Sequence, residues 1–210
     1  MNSKEHWEAI YESKLDSEVS WTQSEPQPSL SLIEEVRSAR KISAARISTI
    51  RIIDIGGGTS RLVDHLLDPG CYVTVLDISK VAIARAQQRL GERSSSVRWI
   101  AADVTANPDL GPVDIWHDRA VFHFLTRARA RSAYIALLNK TLVPGGYVIL
   151  ATFALDGPEK CSGLPVQRYD GPALESELGD GFARIKTAPT MHKTPWGNPQ
   201  SFQYSVFRKL

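Results

Sequence analysis

The sequence predicts a doubly wound α/β fold built on a mostly parallel sheet of seven strands that ends in an antiparallel hairpin. Three observations carry this expectation. From Ile50 onward, short apolar strands alternate with helical patterns. Those strands are nearly continuous in Val, Ile and Leu, as strands covered on both faces are. The last two strand-like stretches adjoin each other across a turn-rich loop, which makes them antiparallel.

The elements follow in order. Residues from Ser3 read as a helix capped by Asn2 or Ser3, with Glu5 at a capping-box position and Trp7, Ile10, Tyr11 and Leu15 on one face. Val19 to Pro28 carries two prolines and reads as loop. A second helix presents Leu32, Ile33 and Val36 inward and Arg37, Arg40 and Lys41 outward. Residues 1–48 thus form a helical extension, and 49–210 form the domain it packs on.

Ile50 to Ile55 is the first strand, followed by a helix from Arg61 to Leu67 that Pro69-Gly70 stops. Tyr72 to Leu76 is the second strand, and Ser79 to Leu90 an Ala-rich helix ended by Gly91. Val97 to Ala101 and Val113 to His117 are the third and fourth strands. Thr126 caps a helix running to Leu142, Pro144-Gly-Gly146 breaks it, and Tyr147 to Thr152 is the fifth strand. Asp170-Gly-Pro172 opens a short helix. Phe182 to Lys186 and Phe202 to Phe207 are the final strands, the second alternating Phe202, Tyr204 and Val206 against Gln203, Ser205 and Phe207.

Composition narrows the class of protein. Twenty-five Lys+Arg against 23 Asp+Glu leave a formal charge of +2, too balanced to indicate a nucleic-acid binder. The longest strongly apolar run, Tyr147 to Leu155, falls short of the roughly 18 residues a membrane span needs. The polar start Met1 to His6 lacks the features of a signal peptide. Cys71 and Cys161 are too few for a disulfide framework or a Cys-rich metal site, so free thiols, no metal and a cytoplasmic location are expected.

The chemistry concentrates at strand ends. Ile52-Ile-Asp54-Ile-Gly56-Gly57-Gly58-Thr-Ser60 joins the first strand to a helix. Glycines there permit a tight turn and close approach of a ligand to bare backbone, while the helix N-terminus offers free N–H groups. Asp77 ends the second strand and Asp103 the third. Each could cap a following helix, but three acids at three successive strand ends point to the crevice at the carboxyl edge of the sheet, where open α/β sheets bind ligands.

These marks resemble the class I S-adenosylmethionine-dependent methyltransferases, whose Rossmann-like sheet also ends in an antiparallel hairpin. The resemblance runs from about Ile50 to the C-terminus and rests on Asp54-Ile-Gly-Gly-Gly58, Asp77, Asp103, Val113-Asp-Ile-Trp-His-Asp118 and Leu142-Val-Pro-Gly-Gly146. The chain departs from the family at Ser60, where a third glycine is usual. The resemblance implies S-adenosyl-L-methionine as cofactor. Gly56 and Gly58 would hold its methionine part, Asp54 its amino group, Asp77 with Ile78 the ribose, and Asp103 with Val104 the adenine.

The N-terminal extension, with Trp7, Tyr11 and Trp21, looks like the lid of small-molecule members such as the thiopurine and tellurite methyltransferases. Trp21 would close on the cofactor. By the same resemblance, Trp116 to Phe124 borders the transferable methyl group. His117 and His123 are candidate bases there and Arg119 a candidate partner for an anionic substrate. Trp116, Asp118 and Phe122 would shape the pocket, with Cys161, His192 and Trp196 closing it from later loops. Arg127, Arg129 and Arg131 read as solvated charges around a helix.

The function expected is methyl transfer to an S, Se, N or O nucleophile of a small molecule by a monomer or homodimer, with neither nucleic acid nor membrane as partner. A protein-lysine N-methyltransferase is the alternative and would need an open acidic groove. A nicotinamide-dependent reductase could use the same glycine turn, but it leaves the acids after strands one and three without a task and finds no Tyr-x-x-x-Lys pair.

Overall fold

A computed structural model describes residues 3–39, 50–67 and 71–210. Asn2, Arg40, Lys41, Pro69-Gly70 and the expected boundary at residues 48/49 lie outside the described residues. Along the chain run α1 (Ser3–Ser13), α2 (Ser29–Ala39), β1 (Arg51–Ile55), α3 (Leu62–Leu66), β2 (Tyr72–Asp77), α4 (Lys80–Leu90) and β3 (Val97–Ala101). They are followed by β4 (Val113–Arg119), α5 (Ala128–Thr141), β5 (Leu142–Phe153), α6 (Gly171–Leu178), β6 (Phe182–Lys193) and β7 (Pro199–Lys209). A two-stranded turn, Lys160–Cys161 against Leu164–Pro165, lies between β5 and α6.

The seven strands form one sheet in the order β3-β2-β1-β4-β5-β7-β6. Strands β1 to β5 pair in parallel, and β7 is antiparallel to both β5 and β6. This is the doubly wound sheet with a terminal hairpin that the sequence predicts. The order reverses between β1 and β4, so a crevice opens there at the carboxyl edge.

Side-chain alternation sorts the strands into two cores. Ile52, Val73, Val75, Ile115 and Ile149 pack on the face covered by α2 and α3. Ile53, Ile55, Leu76, Trp116, Val148 and Leu150 pack on the face covered by α5 and α6. The same two-residue period decides where the polar residues of β4 point: His117 and Arg119 share Ile115's face, and Asp118 shares Trp116's.

Four local expectations are corrected. Leu15 lies beyond α1 and is 65% exposed, because the chain leaves the helix at Ser13 and the packed face ends at Tyr11. No side chain caps α5, whose N-cap position is Arg127 rather than Thr126. The Pro144-Gly-Gly146 run does not stand between helix and strand but belongs to β5. Pairing there jumps from Val113↔Leu142 to Ile115↔Tyr147, so the breakers are absorbed as a bulge. Strand β7 shows no inside–outside alternation. It lies between β5 and β6, and Phe202 through Phe207 are all buried. The half-exposed edge pattern falls instead on β6, which runs seven residues further than Lys186.

Arg131 is also not a solvated charge. Its guanidinium lies 2.8 Å from Glu177 of α6 and donates to the carbonyls of Leu125 and Thr126, tying α5 to the neighbouring segments.

Candidate active site

The ends of β1, β2 and β3 bring bare backbone and carboxylates to one rim. At Gly56 φ is +67°, a conformation L side chains rarely adopt, and a Cβ there would overlap Val121. At Gly58 φ is +32°, and a Cβ would lie 2.7 Å from Asp77 Oδ2 and 3.2 Å from the Tyr11 hydroxyl. The two glycines keep a slot open between the loop, Asp77 and Tyr11.

Asp77 is buried. Its Oδ1 accepts from the Ser79 N–H at 2.8 Å, and the Gly58 N–H also donates to the carboxylate. Burial dominates over these donors and, with the nearby Asp54 charge, pushes its pKa to about 7. A carboxylate so placed gains from any further donor that reaches it. Asp103 is exposed at the same rim. Its Oδ1 accepts from the Thr105 N–H at 2.8 Å and from the Thr105 hydroxyl at 2.7 Å, so part of its capacity goes into capping a single turn.

Asp77, Ile78, Asp103, Val104 and Gly56 line one end of a cavity of about 620 Å³. The other end is walled by Phe153, Phe202, Cys161, Leu164, Pro165 and Gln200, with Arg119 between the two ends. Trp7, Tyr11, Trp21 and Phe124 line it from the N-terminal side. Trp7 makes edge contacts with Trp21 at 5.7 Å and Phe124 at 5.1 Å, and Tyr11 meets Trp21 at 6.0 Å. The volume falls within the roughly 300–1,000 Å³ of small-molecule pockets.

A contact absent from the sequence reading fixes α1 over this cavity. The Glu8 carboxylate accepts from the Ser79 hydroxyl at 2.6 Å, the Lys80 N–H at 2.9 Å and the Val81 N–H at 3.1 Å. Burial raises its pKa, but these bonds outweigh that and hold it below the usual carboxylate range. Glu8 therefore supplies acceptors to the N-terminus of α4, to which Ser79 contributes its own cap on Ala82. Glu8→Ala is expected to cost about 1–2 kcal/mol of stability in urea unfolding. It should also speed release of bound S-adenosylhomocysteine several-fold, as stopped-flow fluorescence of Trp7 and Trp21 would show.

The expected base positions are placed differently from Arg119. His117 is buried in the sheet, its Nδ1 2.7 Å from Asp54 Oδ1 and its Nε2 2.9 Å from Ser29 Oγ, and it does not line the cavity. Asp54 spends one oxygen on that pair, and its other oxygen faces Gly57. His123 is fully buried between Phe124 (4.5 Å) and Phe153 (4.8 Å), and its Nδ1 accepts from the Phe153 N–H at 3.3 Å. Burial, with the Arg119 charge, drops its pKa to about 3, so it is neutral and weakly basic.

Trp116 and Phe122 are core side chains rather than pocket walls. The Trp116 indole donates to the Tyr134 hydroxyl at 2.7 Å, and Phe122 packs on Tyr134 and Tyr169. Asp118 points to the α5 face and accepts from the Tyr134 hydroxyl at 2.6 Å and from the N–H groups of Val121 and Phe122. Burial leads over these bonds and raises its pKa to about 6. His192 lies behind Arg119, donating to the Ser20 carbonyl at 2.6 Å, and lines a second cavity. Trp196 is 54% exposed at the tip of the β6–β7 hairpin and reaches neither cavity. Cys161 is buried against the main cavity, where burial pushes its thiol up.

The family profile described as "Methyltransferase domain" matches residues 53–148, the stretch from β1 into β5 that supplies the glycine loop and all three rim acids. Over that stretch the chain matches the class I S-adenosylmethionine-dependent methyltransferases.

Malonyl-[acyl-carrier protein] O-methyltransferase of Anoxybacillus flavithermus is 28% identical to this chain over 163 residues, covering 74% of the chain and 60% of that relative. The chain thus spans less than two thirds of that relative's length. A methyltransferase from Anabaena variabilis superposes with a TM-score of 0.74 at 14% identity, covering 100% of this chain and 96% of that one. The 1,6-didemethyltoxoflavin-N1-methyltransferase of Burkholderia thailandensis superposes with a TM-score of 0.61 at 21% identity, covering 86% of this chain and 84% of that one. At such identities the likeness is one of fold.

S-adenosylmethionine is the cofactor that the matched family implies. The residues present fit it. The slot at Gly56 and Gly58 would close with any Cβ, and the buried Asp77 carboxylate beside it has capacity for further donors. No helix of the described residues is long and apolar enough to cross a membrane.

Proposed function

We propose that this chain transfers the methyl group of S-adenosylmethionine to a nucleophilic atom of a small organic molecule held at the aromatic end of the cavity. The observation that carries the proposal is the continuity of one cavity from the acids of β2 and β3 to the wall of Phe153, Phe202 and Cys161. The Burkholderia neighbour, named for the small molecule it methylates, supports a small acceptor.

The bound cofactor supplies a sulfonium-activated, electrophilic methyl group. The chain supplies the rest. Asp77 would accept from the ribose hydroxyls, Asp103 and Val104 would receive the adenine, and the bare backbone of Gly56 and Gly58 would admit the amino-acid part. Asp54, held by His117, would act on the amino group from behind the loop, which makes His117 a positioning residue. Residues 3–39 would serve as a lid, with Glu8 as its latch and Trp7, Tyr11 and Trp21 keeping water from the reacting atoms. Alignment and water exclusion then lower the barrier, worth several kcal/mol in well-oriented reactions. Neither histidine faces the cavity, so this arrangement suits an acceptor that arrives ionised or with a free lone pair.

Donation by the ribose hydroxyls requires ionised Asp77, so affinity for S-adenosylhomocysteine should follow that ionisation. Calorimetry is expected to show affinity flat above pH 7 and falling by up to about tenfold per pH unit below it. Asp77→Asn should remove this dependence. Transfer itself is tested with radiolabelled cofactor and, in parallel, a metabolite extract and a proteome. Label in small molecules supports the proposal, while label only in protein would favour the lysine-methylating alternative.

A further inference from the structure

Arg119 stands in a wall shared by two cavities. It lines the main one and, with Phe202, also a second of about 330 Å³ between the N-terminal loop and the β6–β7 hairpin. Its Nη1 donates to the Trp21 carbonyl at 2.9 Å and its Nε to the Tyr204 hydroxyl at 3.1 Å. Its Cζ lies 5.1 Å from the centre of the Phe202 ring. The remaining nitrogen, Nη2, is buried and has no hydrogen-bond partner among the described residues.

Both polar partners are neutral oxygens, so the guanidinium charge is not matched by a carboxylate at its contacts. A buried donor of this kind costs free energy until an acceptor reaches it, and a planar guanidinium suits a carboxylate best. The second cavity has the matching character. Its wall includes Arg119, Lys193, His192 and Gln23, and none of its lining residues is Asp or Glu. The acids of the main cavity lie at its other end, at Asp77 and Asp103. The Arg119 charge reaches into the surroundings, where it adds to the burial that lowers the pKa values of His123 and His192 and opposes the burial that raises that of Cys161.

We propose that Arg119 anchors a carboxylate of the acceptor, whose anionic end enters the second cavity beside Lys193 while its nucleophile stays in the main one. The acceptor class is therefore an organic anion with an apolar body that packs on Phe202 and Phe153. This deepens the methyltransferase reading and rests on it. The cofactor's own methionine carboxylate is the other possible source of the same chemistry, and the test separates the two.

Protein saturated with S-adenosylhomocysteine, and protein without it, is titrated by calorimetry with 2-naphthoate and with neutral 2-naphthamide. The expected result is naphthoate binding at least about tenfold tighter than the amide. Arg119→Gln should abolish that preference, and Arg119→Lys, which keeps the charge but loses the fork, should retain part of it. Lys193→Gln should reduce naphthoate affinity about threefold at low salt. Equal binding of the two probes, no binding of naphthoate, or a preference that survives Arg119→Gln would overturn the proposal.

A control arm compares S-adenosylhomocysteine with 5′-methylthioadenosine, which lacks the amino-acid tail. If Arg119→Gln weakens the first more than about tenfold and spares the second, the anion is the cofactor's, and the acceptor assignment falls. Failure of the underlying reading would look different: the unmutated protein would not bind S-adenosylhomocysteine at all.

Discussion

Asp77→Ala is expected to weaken S-adenosylhomocysteine binding by roughly 100-fold or more at pH 8, measured by calorimetry. The ionised carboxylate would accept from both ribose hydroxyls, and hydrogen bonds to a charged acceptor contribute about 1.5–3 kcal/mol each. The fold should survive. Asp77 sits at the sheet's rim and itself lines the cavity, so the space that its side chain vacates opens to water that can reach the Ser79 and Gly58 N–H groups.

The stability of the cofactor-free protein should respond in the opposite sense. Burial raises the folded-state pKa of Asp77 to about 7, above its unfolded value of 3.8. The folded state therefore holds the proton more tightly, and stability falls as pH rises from about 4 to about 7. Asp77→Asn should flatten that decline by up to a few kcal/mol in urea unfolding across the window. Added S-adenosylhomocysteine should raise the melting temperature of the native protein more at pH 8 than at pH 6, since only the ionised form accepts the ribose.

Asp118→Ala is expected to be the most damaging substitution near the site, costing on the order of 3–5 kcal/mol. It would strand a part-buried backbone N–H at Val121, a buried one at Phe122, and the Tyr134 hydroxyl, which itself accepts from Trp116. Against the roughly 5–15 kcal/mol by which domains are stable, that is a large fraction. Tyr134→Phe should cost less, about 1–2 kcal/mol, because Asp118 keeps both backbone donors. Urea unfolding at pH 8 measures both. A loss below about 1 kcal/mol for Asp118→Ala would show that Asp118 does not hold the turn carrying Ala120 and Val121 into the cavity wall.

Much of this architecture was legible because parallel strands and their helices leave local signals. β3 matches its expected range, and β1, β2 and β4 differ only at their ends. Ser79 caps α4 and Asp170 caps α6, as side chains of those types do. The errors share a cause: neighbours in the sheet, not local pattern, set the outcome. β7 reads as alternating, but lying between two strands and two layers buries both of its faces. The Pro144-Gly-Gly146 run reads as a break, but β4 pairs on either side of it.

The site divides in the same way. Gly56, Asp77, Ile78, Asp103, Val104, Trp21, Arg119 and Cys161 line one cavity, because strand ends and the lid converge there. His117, Trp116, Asp118 and Phe122 looked like one functional run with Arg119. Strand alternation sends Trp116 and Asp118 to one face and His117 to the other, while Phe122 enters the α5-side core. Only Arg119, at the very end of β4, reaches the rim. That split was available from the two-residue period. The role of Glu8 was not, since its partners lie more than 70 residues away in sequence and depend on how α1 lies across α4.

A crystal structure with S-adenosylhomocysteine bound tests the central claim most directly. The account predicts both ribose hydroxyls within hydrogen-bond distance of the Asp77 carboxylate, the adenine beside Asp103 and Val104, and the sulfur directed toward Arg119 and Phe202. A ribose held away from Asp77, or a sulfur turned from the aromatic end of the cavity, would contradict it.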